Sequence, residues 1–86
     1  MLEATNRAKT VKEMVERSRL TQVQFARASG ISPQAINSFV RGRRRPNFDS
    51  LAKLLAFARI KNIDTRIWDL RPDLMKNYLT KGEEND

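Results

Sequence analysis

Gly30 sits between two short helical patterns, and the chain allows only Ile31 and Ser32 before the second begins. Thr21 is placed to cap the first pattern, with Gln24 three residues on as a capping-box partner. This helix buries Phe25 and Ala26 and stops at Gly30, which supplies the left-handed residue that a tight exit requires. Ser32 caps the second pattern, and Pro33 takes the first helical position, where a missing N–H costs nothing. Ile36 and Phe39 face inward and Gly42 ends the helix. Two helices joined so closely must cross at a steep angle. Ala26 is then the small residue at the crossing, and Ile31 plugs the turn into the core.

The remaining periodicity is also helical. Val11, Met14 and Val15, with Leu20 beyond, predict a helix over about 4–19. Asn47 caps a further helix with Leu51, Leu54, Leu55 and Phe57 or Ala58 inside. A short helix is expected around 64–70, with Ile67 and Trp68, and Pro72 opens a last one through Leu74, Met75, Tyr78 and Leu79. Trp68 is expected to anchor the core, with a dimer interface as the alternative. Strand alternation and hairpin turns are weak. The expectation is an all-α fold, with a five-helix domain over 1–70 and a short helical extension over 71–86 that frays at GEEND.

Composition narrows the chemistry. The 86 residues contain neither cysteine nor histidine, so disulfides, the usual zinc sites and Cys–His or Ser–His nucleophile pairs are excluded. There is no phosphate-cradling glycine loop, so no enzyme and no cofactor is expected. No apolar run is long enough for a membrane span or a signal peptide, which points to a cytoplasmic protein. The formal net charge is +7, and all of it lies in residues 1–45, where ten Lys/Arg face three Asp/Glu; residues 46–86 carry seven of each. That asymmetry points to a polyanionic partner for the N-terminal half.

The spacing from Gln22 to Arg41 is that of a helix-turn-helix, whose second helix enters a DNA major groove. Gln34, Ala35, Asn37 and Ser38 are left on its outer face. Gln34 has the amide needed to pair bidentately with adenine, and Asn37 and Ser38 are shorter candidates for a base edge or a phosphate. Arg41, Arg43, Arg44 and Arg45 follow the helix and are placed to neutralise phosphates flanking the groove.

The stretches LTQVQFARASGIS, QAINSFVRG and RRPNFDSLAKLLAFA resemble the phage repressor/Cro class of helix-turn-helix proteins, the XRE family, from about Thr10 to Ile63. The resemblance implies a lambda-repressor-like fold and a phosphate contact by Gln22 at the start of its helix. Two positions depart from it: Ser29 stands where an apolar residue is usual, and Pro33 replaces a residue that often touches DNA. The phrase TRIWDLRPDL is similar to a C-terminal signature of Cro/YdaS-like prophage regulators.

The resulting expectation is a sequence-specific, double-stranded DNA-binding transcriptional regulator, read as a repressor. The apolar surplus from Ile60 to Leu79 argues for a homodimer on a palindromic operator. With no room for a ligand domain, control falls to concentration or to a partner. The alternatives are an antitoxin that binds a toxin and its own promoter, with the toxin on 70–79, or an architectural factor for prophage excision.

Overall fold

The computed structural model describes residues 7–74. It is all-α: α1 Val11–Ser18, α2 Gln22–Ser29, α3 Pro33–Val40, α4 Phe48–Ile60 and α5 Ile67–Leu70, with no strand among the described residues. The first four helices begin on a side-chain cap. Thr10 accepts from the Glu13 N–H at 3.1 Å, Thr21 from Gln24 at 3.1 Å, Ser32 from Ala35 at 3.1 Å and Asn47 from Ser50 at 2.8 Å. Each such cap contributes about 1 kcal/mol. At Thr21 the box is closed, because Gln24 Oε1 accepts from the Thr21 N–H at 3.0 Å.

Helix α1 starts at Val11, not near residue 4. Its apolar period does not set where it begins; the cap does. Thr10 takes an extended conformation, and Glu13 Oε1 reaches back to the Lys9 N–H at 2.7 Å. The preceding residues serve instead as a strap on the segment before α5. The Ala8 N–H donates to the Asp64 carbonyl at 2.8 Å, and Thr65 Oγ1 donates to the Ala8 carbonyl at 2.8 Å. Arg7 grips Asp69 with a two-point fork, 2.9 and 2.8 Å. Likewise α5 starts at Ile67, after an extended Arg66, rather than at residue 64. A helical turn at 72–74 runs to the edge of the described residues. Met75, Tyr78 and Leu79, the greater part of the 71–86 extension and half of the segment expected to meet a toxin lie outside them.

The core forms where the helices cross. Phe25, Met14, Ile36, Leu51 and Leu54 are the largest fully buried side chains. Phe25 meets Phe57 edge to face, with ring centroids 4.9 Å apart at 78°. Phe57 and Ala58 both turn inward. Trp68 is only half-buried and is not part of the core, where Leu70 takes the place on α5. A four-residue helix exposes one side to solvent, and the indole falls on that boundary.

Gly30 turns the chain at φ 80°, with its N–H on the Ala26 carbonyl at 3.0 Å. No atom lies within 4 Å of where a Cβ would stand. Gly30→Ala is therefore expected to cost only the left-handed penalty, about 1–2 kcal/mol. A thermal melt should show it as a drop of roughly 4–8 °C per kcal/mol. Gly30→Asn should lose less, because asparagine tolerates this conformation better.

Candidate nucleic-acid interface

The α2–turn–α3 unit is fixed from behind. Phe25, Ala26 and Ile36 are fully buried, and Ile31 and Phe39 are nearly so. The Ile31 N–H shares the Ala26 carbonyl with Gly30, at 3.1 Å. From α4, Lys53 Nζ donates to the Gly30 carbonyl at 3.3 Å while pairing with Asp49 one turn earlier at 3.3 Å. Ser29 turns its hydroxyl back onto the Ala26 carbonyl at 3.2 Å, so its polar group is satisfied locally where an apolar side chain is usual. These constraints present the outer face of α3 to solvent as a rigid surface.

On that face Gln34 is exposed one residue into the helix, while Ser38 is half-buried. Asn37 is half-buried as well, and its place differs from a simple outward position. Its Oδ1 accepts from Gln22 Nε2 at 3.2 Å and from Arg41 Nε at 3.2 Å. One carbonyl oxygen thus joins the first residue of α2, the middle of α3 and the residue that caps α3. The Asn37–Arg41 spacing of one helical turn is visible in the sequence. The link to Gln22, fifteen residues away, depends on how the helices cross and carries no local signal.

The arginine loop folds back on the end of α3. Gly42, at φ 74°, reverses the chain, and the Ser38 carbonyl accepts from the Arg43 N–H at 2.9 Å and from the Arg44 N–H at 3.4 Å. The four guanidinium groups then take different environments. Arg41 is on Asn37. Arg44 lies over the Phe39 ring, 5.8 Å from its centroid. Arg45 stands 3.4 Å from Asp73. Arg43 is exposed and has no side-chain partner among the described residues. Pro46, which ends the loop, is buried, and its carbonyl accepts from Arg71 Nη1 at 2.8 Å. Sequence reasoning found the arginines but not Arg7, Lys53, Asp69, Arg71 or Asp73. Apart from the Arg71–Asp73 fork and the Lys53–Asp49 pair, the contacts given for these residues act across long sequence separations.

Two carboxylates carry the electrostatics of this side. Burial works against the charge on Asp69, but the Arg7 fork and the Arg66 N–H outweigh it and hold the carboxyl below its ordinary value. The bonds from Arg71 overcome a smaller desolvation and hold Asp73 at about 2, with Arg45 adding a lesser share. Both groups favour the folded state above an unfolded Asp pKa of about 3.9. That stability is lost as pH falls from there through the depressed folded values. Melts between about pH 5 and pH 2.5 should therefore fall less steeply for Asp69→Asn or Asp73→Asn than for the parent chain.

The family model HTH_3, helix-turn-helix, matches residues 11–61, more than half of the 86-residue chain. The chain belongs to the XRE-type helix-turn-helix family. Searches of curated proteins and of solved structures returned no match. As an XRE-type protein the chain is a DNA-binding regulator, and double-stranded DNA is its partner. The matched span covers α1 to α4 of this XRE-type protein and omits the strap and α5. Among the described residues no helix is long and apolar enough to cross a membrane.

Proposed function

We propose that this XRE-type regulator reads a specific DNA sequence with α3 and acts as a repressor by covering a promoter. The observation that carries this reading is the Gln22–Asn37–Arg41 cluster. It ties the exposed reading face of α3 to groups on either side of it. Gln34 projects from the start of α3 and serves as the base-reading group, pairing with adenine. Ser38 and the free amide of Asn37 are placed for a base edge or a phosphate. Gln22 opens α2, where unpaired N–H groups and the helix dipole favour an anion. Arg41, Arg43, Arg44 and Arg45 set the register on the backbone, with Arg43 the most available of the four.

A two-fold dimer on a palindrome completes the reading, with recognition helices about 34 Å apart. It is supported by Ile60, 76 % exposed at the end of α4, and by Ile67, 36 % exposed on α5. The likeness of residues 65–74 to prophage regulators is the support for a phage or prophage setting. Selection of bound duplexes from a random pool at ~150 mM salt, where backbone-only binding is weak, tests the proposal. Enrichment of a palindrome with half-sites about one turn apart is the expected outcome. A pool that stays unenriched overturns sequence-specific recognition.

A further inference from the structure

Asp73 lies between two guanidinium groups. Arg71 holds it in a fork, Nε to Oδ1 at 2.9 Å and Nη2 to Oδ2 at 2.7 Å. Arg45 reaches the same Oδ1 with one nitrogen, at 3.4 Å. Arg71 is itself held from two other sides. Its Nη1 donates to the Pro46 carbonyl at 2.8 Å, and its guanidinium lies 5.7 Å from the Phe48 ring centroid. One side chain thereby joins the last peptide of the arginine loop, the first residue of α4 and the turn after α5. The enclosure is unequal: the Arg71 side chain is 18 % exposed and that of Arg45 is 67 % exposed.

The geometry points to Arg71 as a positioning residue for DNA binding: by engaging both oxygens of Asp73 at 2.9 and 2.7 Å it restricts Arg45 to a single 3.4 Å contact, from which that exposed side chain can turn to a phosphate. The inference rests on the reading of Arg45 as a phosphate contact. Asp73 is ionised at neutral pH, so a carboxylate without Arg71 would take Arg45 as its nearest cation. A planar fork is the better partner for a carboxylate than a single-point contact, and a guanidinium presents that fork in fixed geometry. An arginine held by a carboxylate in a two-point fork, unlike one in a single long contact, displaces no counterion when DNA arrives, so its contribution to the salt dependence disappears. The Pro46 bond and the Phe48 stack keep Arg71 on Asp73.

The test measures the affinity of the full chain for a random-sequence duplex over a range of salt, with a thermal melt for each variant. Arg71→Met keeps the aliphatic stem and removes the fork. It should flatten the slope of log affinity against log salt by ~1. Asp73→Asn alone should leave the slope at the parent value, and the double variant should recover it. Arg71→Gln replaces Arg71→Met if the latter does not fold. An unchanged slope in the single Arg71 variant overturns the inference. So does a flattened slope that the double variant fails to restore, since a merely structural role, or a direct Arg71–phosphate contact, would persist without Asp73. Arg45→Ala separates the two levels. If it flattens the slope while Arg71→Met does not, only the role of Arg71 falls. If it leaves the slope unchanged, the phosphate reading of Arg45 falls with it.

Discussion

Phe25→Ala is expected to leave the chain largely unfolded at room temperature. Phe25 has no solvent exposure and packs edge to face on Phe57, which joins α2 to α4. Truncating a buried phenylalanine costs about 3–5 kcal/mol, the sum of lost transfer energy and the cavity left behind. A single core of this size rarely supplies more than about 3–5 kcal/mol in total. The two magnitudes are equal, so little stability remains. Val23→Ala is the control in the same helix. Val23 is 55 % exposed, and surface changes of this kind stay within about 0.5 kcal/mol. Urea unfolding followed by circular dichroism checks both. A cooperative transition in Phe25→Ala near the parent midpoint would mean that the core is not organised around α2.

Gln34→Ala is expected to relax base preference at one position in each half-site. A bidentate amide–adenine pair is worth about 1–3 kcal/mol of discrimination, or roughly 5- to 150-fold in Kd on the selected operator. Its salt slope should stay where the parent's is, because no phosphate contact is lost. Arg43→Ala is the opposite case. Arg43 is exposed at the tip of the arginine loop, so its loss should weaken binding to all duplexes alike and flatten the slope by ~1. Titrations of both variants on operator and random duplex, at several salt concentrations, check the division. Identical behaviour of the two would show that reading and positioning are not separate jobs on this surface.

Much of the fold is legible where the physics is local. Thr21 with Gln24, Ser32 before Pro33, and Asn47 each start a helix where their chemistry demands, and Gly30 ends one. Thr10 and Glu13 carry the same capping signature, and giving them weight over the apolar period would have placed the start of α1 correctly. Trp68 shows the limit of reasoning by residue type. A large aromatic favours burial, but the four-residue helix that carries it turns Leu70 inward. The interface divides in the same way. The arginines and the outer face of α3 follow from spacing. The hub at Asn37, and the Arg7–Asp69 pair spanning 62 residues, arise from how distant segments meet.

The strap formed by residues 7–9 has a consequence for how the molecule opens. Four residues cannot sustain a helix alone, so α5 depends on Leu70 in the core and on the bonds from Arg7, Ala8 and Thr65. Closing so long a loop is entropically unfavourable, and few bonds offset it. Strap and α5 should then come away together, as one cooperative unit, while the four larger helices stay closed. In native-state hydrogen exchange the amide of Ala8 would gauge that event. It should exchange ahead of Phe25, at a rate governed by a partial opening that leaves α3 assembled.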